Sequence, residues 1–257
     1  MIFFTERRRK KLRAEPFPES WQAILARNVA LYERLSKEDQ EELRGHMQVF
    51  LAEKTFEGCG GLVITDEIRV TIAAQACLLL LHRETDYYPD LSTIRVYPRA
   101  YIATERRVEN GVVFEEKVVR AGESWTRGCV VLSWDDALKG GVDPADGHNV
   151  VIHEFAHQLD QEDGDADGAP VLSQRGAYAP WARVLGSEFS ALQRAERRRE
   201  QSLLDKYGAG SPAEFFAVAS ETFFERPRQM QRLHPELYDE LKRYYKQDPA
   251  RHGKPRP

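Results

Sequence analysis

The chain has 257 residues, a length that favours one large domain or two small ones with a sizeable core. Apolar residues make up 42% and charged residues 30%, close to the averages of globular proteins, which argues against a disordered or fibrous chain. The 37 Lys and Arg residues and 41 Asp and Glu residues give a net charge of −4. Composition therefore excludes the overall positive field that nucleic-acid or anionic-membrane binding requires, and we expect neither partner.

The cysteines and the N-terminus indicate a cytoplasmic protein. Cys59, Cys77 and Cys129 lack a C-x-x-C spacing, which argues against a disulfide framework and against a cysteine zinc site. The first apolar residues precede the basic ones, the reverse of a secretory signal, and the apolar run 72–81 is too short to span a bilayer.

The first half of the chain is predicted to be helical. A basic N-terminal arm at 1–18, ended by two prolines, is expected to lack fixed structure. Apolar residues at helical spacing then predict three helices, at 21–35, at 36–51 and at 65–81. The last of these is apolar enough to be central in the core.

The second half changes from strands to helices. Short β-rich runs separated by Gly and Pro predict strands of one small sheet at 93–97, 112–114, 118–119 and 129–134. The helical period returns at about 146–160, 179–206, 212–225 and 235–246, before a flexible tail at 248–257. Because no repeat or linker divides the chain, this order predicts a single α+β domain over residues 19–247.

The most informative segment, 149–160, contains the motif H-E-x-x-H. On a helix, His153 and His157 lie on one face about 5–6 Å apart, so their imidazoles can bind one metal ion. Glu154 lies beside them, where it can accept a proton from a metal-bound water. Zinc is the ion that two imidazoles, a carboxylate and a water favour. The alternative is a pair of hydrogen-bonded core histidines without a metal.

A third protein ligand is required, and no histidine follows at the metzincin spacing, which excludes that chemistry. The segment 211–224 offers two carboxylates, Glu214 and Glu221, seven residues apart on one helical face. Each has another explanation: Ser211 with Glu214 fits a capping box, and Glu221 fits an ion-paired or supporting residue. The spacing leaves the choice open.

Five segments together resemble the bacterial Mlc titration factor A family: 56–61, 65–77, 131–135, 147–160 and 212–218. The resemblance extends over about residues 19–247. It implies a cytoplasmic zinc metallopeptidase with a zincin-like catalytic domain similar to that of anthrax lethal factor. It also implies aminopeptidase activity and binding to the glucose repressor Mlc.

The resemblance also implies a role for individual residues. His153, His157 and Glu214 would be the zinc ligands, and Glu154 the catalytic base. Tyr207, seven residues before Glu214, would donate a hydrogen bond to the oxyanion, although the sequence alone favours a surface tyrosine before Gly208. The alternative function is a non-catalytic module that sequesters a transcription repressor and uses zinc structurally. Glu154 argues against it, because a purely structural site has no use for a base.

Weaker signals receive simpler interpretations. The run 163–168 matches the first half of a calcium loop, but Gln174 stands at the twelfth position where Glu is needed, so we expect a solvated acidic loop, with calcium as the alternative. The arginines at 194–199 alternate with glutamates and predict an ion-paired helix face. No ligand spacing relates the other histidines, which are His46, His82, His148, His234 and His252.

Overall fold

The structure is a computed structural model that describes residues 2–109, 112–120, 122–125 and 128–251. Four helices dominate the first third of the chain: α1 (Ile2–Arg13), α2 (Glu19–Asn28), α3 (Lys37–Glu53) and α4 (Asp66–Leu78). The first strand, β1 (Thr55–Gly58), lies between α3 and α4. Five more strands follow α4: β2 (Thr93–Tyr97), β3 (Tyr101–Glu109), β4 (Val112–Arg120), β5 (Gly122–Trp125) and β6 (Cys129–Ser133). The remaining helices are α5 (Trp134–Val142), α6 (Val150–Asp160), α7 (Tyr178–Arg197), α8 (Pro212–Glu225), α9 (Pro227–Leu233) and α10 (Pro235–Tyr245).

The main sheet is mixed and has the order β1-β2-β6-β5. Strands β1, β2 and β6 are parallel, and β5 pairs antiparallel with β6 at one edge. Helices and a small mixed sheet in one domain confirm the predicted α+β class. The prediction that 112–119 joins this sheet is wrong, since β4 pairs with β3 in a two-stranded sheet of its own. Strands this close in sequence pair locally because little chain entropy is lost.

Some element boundaries also differ from the predictions. The predicted helix 21–35 ends at Asn28 and continues as a short 3-10 helix, Tyr32–Arg34. Helix α5 was not predicted, because Gly140 and Gly141 lower helix propensity. Packing accounts for the glycine at position 141, since a Cβ there would lie 2.3 Å from the backbone oxygen of Asn28.

The prediction that the N-terminal arm lacks structure is wrong for residues 2–13, which form α1. The Arg9 side chain is buried and holds this helix against α3. Its Nε and one terminal nitrogen each lie 2.9 Å from an oxygen of Glu53, and it also pairs with Asp86. These ion pairs are tertiary contacts that the local charge run does not reveal. Of the predicted tail, Pro249–Arg251 form a 3-10 helix, and 252–257 lie outside the described residues.

Helix α6, which carries the H-E-x-x-H motif, is held by packing on several sides. Helix α4 is buried around most of its circumference, as its apolar sequence predicts. Helix α6 packs against α4 on one side, against α8 on another and against the edge strand β5. Among the described residues, no helix is both long and apolar enough to cross a membrane.

Candidate metal centre

The H-E-x-x-H segment lies on α6, whose first turn is fixed by Asn149. The Asn149 side-chain oxygen accepts a hydrogen bond from the backbone N–H of Ile152 at 2.9 Å, which caps the helix. Its amide nitrogen donates to Gln75 of α4 at 2.9 Å and to the Gly140 carbonyl of α5 at 3.1 Å. This fully buried residue therefore ties the start of the motif helix to two neighbouring helices. This role was not predicted, although Asn before an apolar run is a recognisable cap signal.

Helix α8 brings a carboxylate to the two histidines. Ser211 caps this helix by accepting a hydrogen bond from the backbone N–H of Glu214 at 3.2 Å. The Glu214 backbone thus takes part in the capping box, but its side chain does not return to Ser211. The side chain lies at the histidines of α6 instead. Its Oε2 is 3.0 Å from His153 Nε2 and 3.4 Å from His157 Nε2.

The three donor atoms fit one tetrahedral metal ion. The two histidine Nε2 atoms lie 3.2 Å apart, so all three separations fall between 3.0 and 3.4 Å. Ligand bonds of about 2.0–2.1 Å to a tetrahedral zinc ion place the ligand atoms ~3.3 Å apart. His153, His157 and Glu214 thus form a donor set with the element types and the spacing that zinc requires.

Glu221 lies on the opposite side of the His153 ring. Its Oε1 is 2.7 Å from His153 Nδ1, and its Oε2 accepts a hydrogen bond from the backbone N–H of Asn149. Such a carboxylate keeps the proton on Nδ1 and leaves Nε2 free to bind a metal. The structure thereby separates the two glutamates that the sequence left equivalent: Glu214 faces the shared Nε2 atoms, and Glu221 orients the ring.

The charges of this cluster also indicate a cation site. Burial alone would lower the pKa of His153, but its hydrogen bonds to Glu214 and Glu221 outweigh burial and raise that pKa well above its ordinary value. Burial would likewise raise the pKa of Glu214, but the two histidines hold it well below its usual range. Positive charge is therefore drawn into the cluster to balance its carboxylates.

Glu154 lies beside this cluster and is almost completely buried, with 5% of its surface exposed. Burial raises the pKa of its carboxyl group to about 7, although the neighbouring histidines oppose the change. Strand β5 approaches it so closely that a Cβ at Gly122 would lie 2.5 Å from Glu154 Oε1. A larger residue at that position would displace the Glu154 side chain, a feature that the sequence alone did not reveal.

Tyr207 lies at the open side of the centre. Its ring centroid is 5.8 Å from that of His153, and 60% of its surface is exposed. It belongs to a short 3-10 helix, Lys206–Ala209, in which Asp205 accepts a hydrogen bond from the Tyr207 backbone N–H at 2.7 Å. The residue is both a surface tyrosine and a neighbour of a proposed ligand.

Other acidic clusters fit metal binding less well. Among the described residues, Asp39, Glu42 and His82 also bring ligand atoms within 4.8 Å of one another. Each ring nitrogen of His82 faces its own carboxylate, at 3.0 Å for Asp39 and 3.1 Å for Glu42, so ion pairing explains the group. In the acidic loop 163–168, carboxylates accept hydrogen bonds from nearby backbone N–H groups, as in solvated turns.

Two helix-borne histidines, a glutamate from a second helix and a buried glutamate beside the first histidine are the groups that a metallopeptidase uses. Comparison with known proteins identifies the same class. The chain belongs to the glucose-regulated metallo-peptidase M90 family, whose model matches residues 3–246.

Relatives match nearly the whole chain. An uncharacterized protein of Synechocystis is 43% identical over 244 residues, which cover 94% of this chain and 89% of the relative. Mlc titration factor A of Pectobacterium atrosepticum is 33% identical over 235 residues, covering 90% and 87% of the two chains. The protein of the same name from Klebsiella pneumoniae subsp. pneumoniae is 33% identical over 233 residues, covering 89% and 86%.

Proposed function

We propose that the protein is a zinc-dependent peptidase of the aminopeptidase type that acts in the cytoplasm. The observation that carries the proposal is the convergence of His153, His157 and Glu214 at separations of 3.0–3.4 Å, next to the buried Glu154. The hydrolytic class rests on this site and on membership of a metallopeptidase family. The preference for bonds near an N-terminus rests on the sequence resemblance.

The proposed ligands are the Nε2 atoms of both histidines and Oε2 of Glu214. When bound there, zinc supplies a Lewis acid that polarises the scissile carbonyl group and lowers the pKa of water to about 7. Glu221 holds the His153 ring through Nδ1, so this ligand presents Nε2 in one orientation.

Proton transfer is the proposed role of Glu154. Its carboxylate lies outside the donor set but on the same helix, one residue after His153. From there it accepts the proton of the attacking water and delivers it to the amine that leaves when the peptide bond breaks. Burial beside Gly122 restricts its side chain to the region of the site.

Stabilisation of the oxyanion is the proposed role of Tyr207. Its exposed side chain lies beside His153, so its hydroxyl is accessible to a substrate carbonyl group. A hydrogen bond to the oxygen that becomes negative in the transition state lowers the barrier more than it stabilises the bound substrate.

The central experiment compares Glu154→Gln with the wild-type protein by metal analysis and by hydrolysis of amino-acid anilides. The wild-type chain should contain about one zinc ion, which His153→Ala and His157→Ala should remove. Glu154→Gln should keep the zinc but lower turnover roughly 10²-fold or more, because it removes a base and no ligand. Peptide cleavage by the metal-free protein would refute the proposal.

The assignment of the third ligand has its own test. Glu214→Gln should weaken zinc binding, since an amide oxygen is a poorer donor than a carboxylate. If Glu214 served only helix capping, Gln would replace it with little loss, because Gln also fits that capping position. Full zinc content in Glu214→Gln would therefore remove it from the donor set.

We also propose that the protein binds a transcription repressor of the Mlc type. The support is the name of relatives that are 33% identical over about 90% of the chain. Purified Mlc should bind both the wild-type protein and Glu154→Gln if repressor binding is separate from catalysis. Failure of Mlc to bind either protein would refute this proposal. Mlc binding by a wild-type protein that cleaves no peptide would instead favour the non-catalytic module.

A further inference from the structure

The N-terminal helix α1 concentrates positive charge that the rest of the chain lacks. It contains six Lys and Arg residues and a single acidic residue, Glu6. Of the 37 basic and 41 acidic residues of the whole chain, 31 and 40 lie outside this helix. The protein is therefore positive at α1 and negative over the remainder. No step of the proposed hydrolysis uses a residue of α1.

The docking of α1 determines which of its faces points outward. Arg9 is buried and pairs with Glu53 and Asp86, so its side of the helix faces the body of the protein. Successive residues of an α-helix are about 100° apart around the axis. Positions 4, 7 and 11 therefore lie on the side opposite Arg9, and positions 8 and 10 lie at its two flanks.

The outward side of α1 is uniformly basic. It carries four exposed cations that make no ion pair in the described part of the chain, and these are Arg7, Arg8, Lys10 and Lys11. Glu6, the acidic residue of the helix, lies instead toward the docked side, 3.7 Å from Arg9 and 3.9 Å from Arg13. No carboxylate of α1 therefore neutralises its outward side.

An exposed aromatic ring adjoins these cations. Among the large apolar side chains in the described part of the chain, Phe4 is the most exposed, at 79%. It lies one turn before Arg7 and Arg8, on the outward side. Cations next to an aromatic ring suit the boundary between lipid headgroups and acyl chains, where both find partners. The phosphates of a nucleic-acid duplex would contact the cations but leave the ring in water, so the combination favours a lipid surface.

The net charge of −4 does not oppose binding through this helix. At physiological ionic strength, salt screens the interaction of exposed charges over about 8 Å, and a helix with its side chains is about 10 Å thick. Acidic residues on the far side of the protein thus act only weakly on a surface that touches α1. The expectation that no anionic membrane binds applies to the field of the whole protein, and this local cluster is an exception to it.

We propose that the outward side of α1, formed by Phe4, Arg7, Arg8, Lys10 and Lys11, binds the surface of a bilayer that contains anionic lipids. The four cations contact the headgroup phosphates, and the Phe4 ring enters the interface. Each cation near such a surface strengthens partitioning about fivefold, so the four together contribute several hundredfold. The proposal does not depend on the peptidase function, because none of these residues lies at the metal centre.

The test is co-sedimentation of the full-length protein with vesicles at about 0.15 M salt. The vesicles are phosphatidylcholine alone or phosphatidylcholine with about 30% phosphatidylglycerol. We expect binding to the anionic vesicles only, and weaker binding at about 0.5 M salt. A fourfold variant that replaces all four outward cations with glutamine should bind at least about 100-fold more weakly.

The matched control makes the same change of net charge elsewhere. It replaces with glutamine four exposed arginines at and just after the end of α7, and these are Arg194, Arg197, Arg198 and Arg199. This control should bind anionic vesicles as the wild type does. Equal loss in the two fourfold variants would show that binding depends on total charge and would overturn the proposal.

The contribution of the aromatic ring is tested by Phe4→Ala, which should weaken vesicle binding about fivefold or more. If the fourfold variant does not fold, Phe4→Ala and Lys11→Gln carry the test, and each should weaken binding about fivefold. Vesicle binding is also competed with a short DNA duplex and with its single strand. Tighter binding to either DNA, or no binding of the wild type to anionic vesicles, would refute the assignment to a lipid surface.

Discussion

Replacement of Glu221 by Gln tests whether a carboxylate behind His153 tunes the metal centre. The substitution keeps the shape of the side chain but removes its charge. Glu221 is buried and uses both oxygens, one at His153 Nδ1 and one at the backbone N–H of Asn149. A glutamine has one carbonyl oxygen, so it can accept only one of these hydrogen bonds, and its amide group would face the other donor.

The expected magnitude follows from those contacts. A hydrogen bond to a charged group contributes about 1.5–3 kcal/mol, and a lost contact of that size corresponds to roughly 10–100-fold in affinity. Loss of a carboxylate that supports a metal-ligating histidine weakens metal binding over the same range, about 10–100-fold. We therefore expect Glu221→Gln to bind zinc about 10–100-fold more weakly, a smaller loss than that caused by removing a direct ligand.

The assay is competition for zinc with a chelator of known affinity, and Glu225→Gln is the matched control. Glu225 lies one turn further along α8, is also buried, and accepts a hydrogen bond from the backbone N–H of Gly147 at 2.9 Å. It makes no hydrogen bond to the histidines among the described contacts, so its substitution should leave zinc affinity near that of the wild type. Equal zinc affinities of Glu221→Gln and the wild type would refute the argument that this carboxylate orients His153.

Three other substitutions test the packing around the site and the N-terminal helix. Gly168→Ala should destabilise the fold by about 3 kcal/mol, seen as a lower urea midpoint, because φ is +78° there and the new Cβ would lie 2.4 Å from the Pro212 carbonyl oxygen. An unchanged midpoint would contradict this close approach. Gly122→Ala should keep zinc but lower turnover about tenfold or more, since its Cβ would lie 2.5 Å from Glu154 Oε1 and displace the carboxylate. Wild-type turnover would mean that β5 does not restrict Glu154. Arg9→Ala should lower the free energy of unfolding by about 2 kcal/mol, because it leaves the partly buried Glu53 without its partner. Arg8→Ala, at an exposed position on the same helix, should change it by less than about 0.5 kcal/mol, and equal effects would argue against docking of α1 through Arg9.

The parts of this protein that local sequence determines are those set by helix geometry and capping. A spacing of four residues brings His153 and His157 to one face of any helix, so their proximity was predictable without knowledge of the fold. Ser211 before Pro212 likewise marks the start of α8, and the structure has that cap. The period of the apolar residues distinguishes helices from strands. The resulting order of helices, then strands, then helices was enough to predict the α+β class.

Contacts between distant segments required the tertiary structure. Glu214 and Glu221 share one face of α8, so sequence spacing could not distinguish them. The packing of α8 against α6 places one at the Nε2 atoms and the other at Nδ1 of His153. Arg9 was assigned to an unstructured arm because its partners, Glu53 and Asp86, are 44 and 77 residues away.

The pocket lined by Arg83, Glu162 and Tyr244 illustrates the same limit most clearly. Arg83 and Glu162 carry no motif, and each resembles an ordinary surface charge in the sequence. Only the fold brings these two half-buried residues to one cavity together with Tyr244 from α10. The physical reason is that periodicity and capping depend on neighbours within a few residues, whereas the partner of a buried charge is decided by which elements pack together.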